Sequence, residues 1–360
     1  MSEWRETKLG DEINLKRGYD LPTRLRQDGS VPIYSSSGIS GLHSEKMCEA
    51  PGVITGRYGT IGQIFYSKTC YWPLNTALYV QDFKGNDELF VYYFLHQLDW
   101  EKYSDKSAVP GINRNDAHQE DVAIPSLPEQ KSIAAILSSL DDKIDLLHRQ
   151  NLTLEAMAET FFRQWFVVKA REDWEEKPLS KIANFLNGLA CQKFPPENEI
   201  DKLPVLKIKE LSNGISESSD WASSNIKPEY IVENGDVIFA WSASLMVKVW
   251  NEEKCILNQH LFKVTSTEFP KWFYLMWCNH HLDEFISISS SHATTMGHIK
   301  RGDLDKAMVL VPNTDELEIM SSKMTPILNK QIANQKQICT LETLRNTLLP
   351  KLMSGEVRVK

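Results

Sequence analysis

The sequence lacks any long apolar run. No stretch approaches the roughly 18 apolar residues of a membrane helix, and residues 1–10 are polar and unlike a signal peptide, so we expect a cytoplasmic protein. Cysteine is scarce and scattered, with no CxxC pair, which argues against a zinc site and against a disulfide framework. We expect reduced thiols at all six positions, which are Cys48, Cys70, Cys191, Cys255, Cys278 and Cys339.

Motifs of catalysis are also lacking. There is no P-loop glycine run ending in Lys-Ser or Lys-Thr, and no glycine-rich dinucleotide or methyl-donor loop after a strand. Residues 278–281 (CNHH) contain metal-ligand types, but they lie in an apolar helix rich in Trp and Phe, which favours packed or capping roles. We therefore predict no catalytic activity, no metal and no cofactor. The net charge of −8 excludes a globally basic surface, so binding of nucleic acid would need a local basic patch.

The sequence does contain a long internal repeat. At the start of each half the shift is 170 residues, with Trp4, Leu9 and Gly18 matching Trp174, Leu179 and Gly188. Further on, a shift of 187 residues holds without a gap over more than forty residues. It pairs Ile112 with Ile299, Asp116 with Asp303, Pro125 with Pro312, Lys143 with Lys330, Leu154 with Leu341, and Glu155 with Glu342. A period this long indicates two duplicated domains with an internal two-fold relation, and not a solenoid.

The second part of each repeat predicts a long helix with a coiled-coil seam. In the first copy apolar residues recur at alternating spacings of four and three, over more than four heptads. A helix over 129–166 would be about 57 Å long at 1.5 Å per residue, so its seam needs a partner. The seam residues are Ile133, Leu137, Leu140, Ile144, Leu147, Asn151, Leu154, Ala158, Phe161 and Trp165 in the first copy, and Met320, Met324, Ile327, Gln331, Asn334, Ile338, Leu341, Arg345, Leu348 and Leu352 in the second.

The obvious partner of each helix is the helix of the other copy, paired antiparallel as two-fold symmetry demands. If the helix ends are flush, Asn151 lies opposite Gln331. A buried amide layer would fix the register and orientation of the helices at a cost in stability. Alternatively, the two amides lie in a wet, frayed part of the coil.

The residues before each helix, 1–125 and 171–312, predict α+β lobes. Short β-prone runs alternate with clusters of Gly, Pro, Asn and Ser, and one helical patch interrupts each lobe, at 88–98 and 270–281. The predicted strands are 53–55, 63–66 and 77–80 in the first lobe, and 237–240, 246–250 and 260–264 in the second. The lobes share this scaffold and diverge elsewhere. That pattern fits two readers of different targets, or drift after duplication without functional meaning.

Two motifs carry a family resemblance. The first helix opens with 124–130 (IPSLPEQ) and continues with 133–137 (IAAIL), and the chain closes with 348–357 (LLPKLMSGEV). In combination these motifs resemble the specificity subunit of type I restriction-modification systems, and the resemblance covers the entire chain. One departure is at 312–318 (PNTDELE), where the second helix opens without the proline-glutamate-glutamine run.

The resemblance implies the order of the domains. Residues 1–125 and 171–312 would be target recognition domains, and 126–170 and 313–353 would be the spacer helices. Residues 354–360 would form a tail that packs back toward the first domain, where its Val-Arg-Val stretch could add an edge strand.

The resemblance also implies a function. Each recognition domain would bind one half of a split, asymmetric site on double-stranded DNA, and the subunit itself would be non-catalytic. Methyltransferase subunits, two in number, would bind the spacer, and restriction/translocase subunits would join the larger complex. A rigid spacer suits two major grooves about one helical turn, roughly 34 Å, apart.

Basic and small polar residues of the first lobe are candidates for DNA contact. Lys16, Arg17, Arg24 and Arg26 fall within eleven residues against one acid, Asp20, which predicts a patch that contacts phosphates. Arginine in a neighbouring loop would read guanine through a bidentate pair of hydrogen bonds. The loop candidates are Ser36, Arg57, Tyr58, Lys106 and Arg114, with Arg57 or Arg114 as the guanine reader.

The second lobe has candidates at analogous places. His298, Lys300 and Arg301 form its best basic cluster. The other candidates are Lys207, Lys209, Trp241, Ser242 and Thr294. In both lobes the alternative is that these residues are solvated loop side chains without a role in binding.

A second hypothesis belongs to a different functional class. The chain could be a non-catalytic two-lobed scaffold whose lobes bind protein or glycan partners. DNA binding that weakens steeply with salt would favour the DNA reader, because phosphate contacts release counterions. The scaffold predicts little DNA binding even beside a methyltransferase.

Overall fold

The computed structural model describes residues 4–104, 111–291 and 297–359. The chain divides into two compact units, the first comprising residues 1–143 and 342–360 and the second comprising residues 144–341. Within the described residues, no helix combines the length and the apolar character needed to cross a membrane.

The lobe of the first unit contains short strands and short helices. Its strands are β1 (Arg5–Lys8), β2 (Asn14–Arg17), β3 (Val31–Ser35), β4 (Gly38–His43), β5 (Gly52–Gly56), β6 (Ile64–Ser67), β7 (Trp72–Pro73), β8 (Ala77–Asp82) and β9 (Asp121–Ile124). Its helices are α1 (Leu9–Glu12), α2 (Glu88–Leu95) and α3 (Arg114–His118), with 3₁₀ turns at Thr23–Leu25 and Trp100–Tyr103. The long helix α4 (Leu127–Arg163) follows.

The lobe of the second unit repeats this plan. After a π-helical turn at Gln164–Val168, its strands are β10 (Glu175–Pro178), β11 (Asn184–Asn187), β12 (Lys202–Leu206), β13 (Trp221–Ser223), β14 (Ile231–Val232), β15 (Val237–Ala240), β16 (Met246–Val249), β17 (Cys255–Leu257), β18 (Leu261–Thr265) and β19 (Met308–Val311). Its helices are α5 (Leu179–Ile182), α6 (Ile208–Asn213), α7 (Lys271–His280), α8 (Leu282–Ser291) and α9 (Arg301–Lys306), with 3₁₀ turns at Cys191–Lys193 and Pro228–Tyr230. The long helix α10 (Thr314–Met353) follows.

The main sheet has the same strand order in both units. It runs β2-β8-β5-β6 in the first and β11-β18-β15-β16 in the second, antiparallel throughout. A second sheet, β4-β3-β7 or β13-β12-β17-β14, lies beside it, and the pair β1-β9 or β10-β19 completes each lobe. All six predicted strands fall on β5, β6, β8, β15, β16 and β18, and the two helical patches correspond to α2 and α7. The prediction of duplicated α+β lobes is therefore confirmed.

Each lobe has its own apolar core, and the long helices contribute to both cores. In the first unit, α2 and β2 pack against Ile133 and Leu137 of α4 and Leu352 of α10. In the second unit, Phe162 of α4 and Phe166 of the π-helical turn join a core rich in aromatic residues. Burial of each such side chain contributes about 1.5–3 kcal/mol, so the lobes are anchored to the helices.

The two long helices pair antiparallel within each unit, as the seam predicted. In the second unit, Ile144 and Leu147 of α4 pack against Ile338 of α10, with Leu341 partly buried beside them. In the first unit, the Arg345 guanidinium on α10 lies 2.8 Å from Asp141 on α4, at the edge of the seam. The predicted seam positions are buried or half-buried along both helices.

An amide layer crosses the seam in the second unit, and Asn334 joins the predicted pair of Asn151 and Gln331. Asn151 receives a hydrogen bond from the Asn334 amide at 3.0 Å, and its own amide lies 3.5 Å from the backbone oxygen of Gln331. Asn334 is only 1% exposed, so the layer is buried and not a frayed, wet end. Asn151 thus lies beside Gln331, as the flush register predicts, and its side-chain partner is Asn334, about one turn further along α10.

The C-terminal tail docks on the first unit through side chains. The Arg358 guanidinium makes two hydrogen bonds to Glu129, at 2.5 and 2.8 Å, and lies over the ring of Trp4. Residues 355–359 form no strand, so the expected edge strand is wrong. In the second unit, Arg171 and the indole of Trp174 bind Glu316 in the same arrangement, at 2.9 and 2.7 Å.

Candidate nucleic-acid interface

A polar cleft of about 330 Å³ opens in the first lobe where strand β2 ends. It brings together Arg17, Arg57, Tyr58 and Arg114, four of the residues predicted to contact DNA. The remaining residues that line it are Leu78, Gly111, Ile112, Asn113 and Asn115, and none of the lining residues is acidic. We refer to this site as the first cleft.

The backbone on both sides of Arg57 is tied down. Its amide donates to the Thr76 carbonyl at 2.9 Å, and its own carbonyl accepts from the amide of Ile112 at 2.9 Å. Tyr58 forms an isolated antiparallel bridge with Gly111, and the Arg57 guanidinium lies 4.5 Å from the centre of the Tyr58 ring. Arg57 is therefore held by a fixed loop, with its charged group supported by an aromatic face.

The first cleft has an excess of positive charge. Within the described part of the chain, neither Arg57 nor Arg114 has an ion-pair partner, while Arg17 lies 3.8 Å from the carboxylate of Asp20. Arg114 is the first residue of α3, where the helix dipole does not stabilise a cation. Unpaired guanidinium groups in a cleft attract an anionic ligand.

The second lobe has the same backbone frame around Trp241, and we call the group of residues at this equivalent place the second cleft. Trp241 replaces Arg57, and its backbone makes the same two hydrogen bonds, to the His260 carbonyl at 3.3 Å and from the Ile299 amide at 3.1 Å. Ser242 bridges His298 as Tyr58 bridges Gly111. In sequence register, Asn187 matches Arg17 and Arg301 matches Arg114.

The chemistry of the second cleft is different. The Trp241 indole stacks on Phe262 at an interplanar angle of 27° and donates to Asn187 Oδ1 at 3.1 Å. Ser242 is buried, with its hydroxyl 3.1 Å from His260 Nδ1. The first cleft therefore has a cationic wall, whereas the second has an aromatic and amide wall.

Most of the other predicted residues that the structure describes lie outside these two groups. Lys16 lies over the ring of Tyr19, and Arg26 donates to the Ser40 carbonyl at 3.2 Å. The basic run of the first lobe is thus divided, with Arg17 alone in the cleft and Arg24 exposed on the Thr23–Leu25 turn.

Several remaining candidates have local partners. Lys207 pairs with Asp220, and Lys209 donates to Ser218 at 2.7 Å. Lys300 precedes α9 and its backbone amide donates to Asp303 at 2.8 Å. Ser36 lies beside the Arg57 loop, since a Cβ added at Gly59 would be 3.8 Å from its hydroxyl. Lys106 and Thr294 lie outside the described residues.

Some cleft residues were not among the predictions. Asn113 caps α3 by accepting from the Asn115 amide at 3.1 Å, and both line the first cleft. Asn187 was missed in the second lobe, although the 170-residue shift applied to Arg17 points to it directly.

The metal-ligand residue types at 278–281 have other partners in the structure. Cys278 is fully buried, and burial raises the pKa of its thiol. His281 lies 3.2 Å from Glu284 and 3.0 Å from the Met308 carbonyl. Within the described ranges, no group of three or more His, Cys, Asp or Glu side chains is arranged to hold a metal ion.

A model of one protein family matches both halves of the chain. The type I restriction modification DNA specificity domain matches residues 1–156 and 171–343. The chain belongs to this family. Each copy of the specificity domain covers one lobe and part of the helix that follows it, so each contains one of the two clefts.

Individual relatives agree with this assignment. The type I restriction enzyme MjaIX specificity subunit of Methanocaldococcus jannaschii is 26% identical, over 99% of this chain and 94% of the relative. The HindI specificity subunit of Haemophilus influenzae is 19% identical, over 69% of this chain and 71% of the relative. A crystal structure of the type I restriction-modification S subunit from M. genitalium has the same fold, with a TM-score of 0.70, 15% identity, and coverage of 97% of this chain and 96% of that one.

Proposed function

We propose that this chain is the DNA sequence-specificity subunit of a type I restriction-modification complex. Each cleft reads one half of a bipartite, asymmetric site on double-stranded DNA. The observation that supports this most directly is the pair of clefts, which have the same backbone hydrogen bonds around residues 57 and 241 and different side chains. Equivalent positions with unlike donors suit two unlike half-sites.

The charge distribution supports DNA as the ligand. The whole chain carries a net charge of −8, yet the first cleft holds three arginines and no lining carboxylate. A local cationic site on an acidic body binds phosphates and base acceptors without a general affinity for polyanions. In the second lobe, Arg301 occupies the sequence position that corresponds to Arg114, at the start of α9.

The subunit itself is non-catalytic in this proposal and acts in the cytoplasm. Two methyltransferase subunits bind the spacer helices, and restriction/translocase subunits join the larger assembly. The long helices suit this arrangement because they extend over 37 and 40 residues and carry exposed apolar side chains such as Leu152 and Ile319. Apolar residues exposed along a helix are typical of surfaces that bind partners.

Binding measurements on the assembled complex test the proposal. The chain is co-expressed with its methyltransferase, the methylated motif is mapped by sequencing, and affinity for a duplex with that motif is measured from 50 to 200 mM salt. We expect a linear fall of log affinity with log salt, with a slope of about −0.9 per phosphate contact. Arg114→Ala and Arg301→Ala should each weaken binding and reduce the slope by about 1.

The control is a substitution outside both clefts. Lys254→Ala removes an exposed cation that is paired with Glu233 and lies outside both clefts, so it should leave the slope unchanged. Affinity that is independent of salt and of Arg114 and Arg301 would overturn the proposal. The scaffold hypothesis would then stand, and it predicts little DNA binding even in the assembled complex.

A further inference from the structure

We propose that the first cleft reads a guanine through Arg57, and that the second cleft makes no equivalent contact because Trp241 stands at that position. The inference rests on the proposed function, since it names the base that one of the two DNA sites takes. The two halves of the recognised sequence would then differ in a defined way. The half read by the first lobe contains a G·C pair that is contacted by a guanidinium group.

Arg57 is the best placed of the three arginines in the first cleft. Arg17 is near the Asp20 carboxylate, and half of its side chain is exposed, so its charge is partly satisfied. Arg114 is exposed at the start of a five-residue helix, where it suits a phosphate. Arg57 is half-buried, its backbone is fixed on both sides, and its guanidinium lies against the Tyr58 ring.

The loop around Arg57 leaves little freedom for the side chain. Gly59 has φ +78°, which forms the turn after Arg57. A Cβ at Gly56 would lie 1.8 Å from the Thr60 carbonyl, so the turn closes tightly before Arg57. A donor that is already ordered loses less conformational entropy on binding. A preorganised guanidinium is therefore suited to reading a base, where the position of the hydrogen bonds decides specificity.

The chemistry of the guanidinium group selects guanine. Arginine has five N–H donors in a planar fork and no acceptor. In the major groove, guanine presents two acceptors side by side, N7 and O6, whereas adenine presents one acceptor beside a donor. Cytosine presents a donor, and thymine a single acceptor beside a methyl group. Only guanine accepts both hydrogen bonds of the fork.

The second cleft lacks this donor pair. Trp241 has a single indole N–H, which already donates to Asn187 at 3.1 Å. The guanidinium of Arg301 is directed toward the Phe185 carbonyl, 3.5 Å from Nη2. Position 241 therefore offers an aromatic face and no fork, and it does not reproduce the bidentate contact to guanine.

The test uses the assembled complex of the full chain with its methyltransferase. The half-site read by the first lobe is identified as the half that changes when that lobe is exchanged. In that half, each guanine in turn is replaced by 7-deazaguanine, which pairs normally but lacks the N7 acceptor. We expect one position at which wild-type affinity falls about 5- to 150-fold, the range of a good bidentate pair.

Variants then assign that contact to Arg57. Arg57→Ala should lose affinity by a similar factor, and 7-deazaguanine at the sensitive position should cost this variant nothing further. Arg57→Lys should recover only part of the loss, because a lysine lacks the planar fork. Lys8→Ala, which removes an exposed cation paired with Asp121 outside the cleft, is the matched control and should behave as wild type.

Two outcomes overturn the contact between Arg57 and guanine without overturning the proposed function. A first half-site without any G·C pair overturns it, as does equal sensitivity of wild type and Arg57→Ala to 7-deazaguanine. In both cases the complex still binds its site and the proposed function stands. If Arg57→Ala does not fold, the 7-deazaguanine series on wild-type protein and Arg57→Lys still decides, because insensitivity at every guanine excludes the contact. Absence of salt-sensitive DNA binding by the wild-type complex would instead defeat the proposed function.

Discussion

The two clefts share a main-chain frame and differ at the loop residue that the frame holds and at its immediate neighbours. In each, one loop residue donates to a neighbouring carbonyl and accepts from the amide two residues before a short helix, with N···O distances of 2.9–3.3 Å. In the first cleft that residue is Arg57, beside a tyrosine; in the second it is Trp241, beside a buried serine. The difference teaches that the fold determines where this loop residue lies but not which residue it is.

The residues that hold each lobe to its long helix can be compared in the same way, and they are the same in both units. Trp4, Glu129 and Arg358 in the first unit correspond to Trp174, Glu316 and Arg171 in the second. Here all three residue types are the same. Positions that hold each lobe to its long helix have thus kept their chemistry after duplication, while the cleft positions have diverged.

The largest effect is expected where the clefts differ most in volume. Gly111→Ala places a Cβ 2.1 Å from the Tyr58 ring, whereas the matching position of the second cleft carries His298. We expect a loss of about 3 kcal/mol in the free energy of unfolding, at the upper end for an overpacked site. Binding to the first half-site should also weaken, because Tyr58 supports Arg57. Denaturant unfolding and the binding assay measure these effects.

His298→Ala provides the comparison for that substitution. It removes a side chain that is exposed, so the unfolding free energy should change by less than about 1 kcal/mol. Equal destabilisation by Gly111→Ala and His298→Ala would contradict the view that tight packing at this position is confined to the first cleft.

The two Glu-centred anchors should differ in strength although their residues match. Glu129→Ala removes a carboxylate that is 9% exposed and is bound by both arms of Arg358, so we expect a loss of about 2 kcal/mol. Glu316 is more exposed, and Arg171 keeps Asp173 at 2.8 Å, so Glu316→Ala should cost under about 1 kcal/mol. Thermal unfolding of both variants compares them. A larger loss for Glu316→Ala would show that exposure does not rank the two anchors.

The seam between α4 and α10 buries polar side chains in the second unit, where the first unit buries apolar ones. Asn334 is almost fully buried, and its Oδ1 has no hydrogen-bond partner among the described residues, whereas the seam of the first unit buries Leu137 and Leu352. Replacing Asn151 and Asn334 together by Leu should stabilise the fold by about 1 kcal/mol, because an unsatisfied buried acceptor is removed. Denaturant unfolding checks the gain, and a net loss would mean that the amide layer itself stabilises the pair.

The smallest effect is a dependence on pH confined to the first unit. The Leu15 amide donates to His118 Nε2 at 3.0 Å, which requires a neutral ring, and burial together with Arg114 and Lys84 lowers the pKa of His118. The contribution of neutral His118 to the free energy of unfolding is complete above pH 6.5, the pKa of the group in the unfolded chain. It decreases as the pH falls from there toward the lower pKa of His118 in the folded protein.

Hydrogen exchange of the Leu15 amide at pH 7.5 and pH 5.5 measures this effect. Protection should be weaker at the lower pH in wild type, and the difference should disappear in His118→Gln. The position that matches His118 in the second unit is Asp305, so the amide of Phe185, which matches Leu15, should not respond in this pH range. Unchanged protection of Leu15 would contradict the assignment.

Much of the fold could be predicted because its signals are local. The alternation of four and three residues depends only on sequence spacing, so both long helices and their seams are predicted correctly. The register also follows from the helix ends, since Ile144 packs against Ile338 and the Asn151 amide lies beside the Gln331 backbone oxygen, as the flush arrangement predicts. The side-chain hydrogen bond from Asn334 to Asn151 was not predicted, because it depends on side-chain geometry and not on register alone.

The candidate site was only partly predictable for a different reason. Arg17, Arg57 and Arg114 are far apart in sequence and meet because β2, β8 and β5 are neighbours in one sheet. Residue type therefore suggested that each arginine contacts DNA, but it did not predict that the three arginines line one cleft. Comparison of the two halves would have identified Asn187, since the shift of 170 residues aligns it with Arg17. The two shifts do not align Trp241 with Arg57, whose equivalence is visible only in the shared backbone hydrogen bonds.

The main-chain hydrogen bonds that hold residues 57 and 241 have a consequence for evolution. Because the Ile112 and Ile299 amides bind backbone carbonyls, these bonds persist whatever side chain the position carries. Mutations there can be fixed or lost without first passing through an unstable intermediate. Under the proposed function, a single substitution at one of these positions would alter one half of the target sequence and leave the other half as it was.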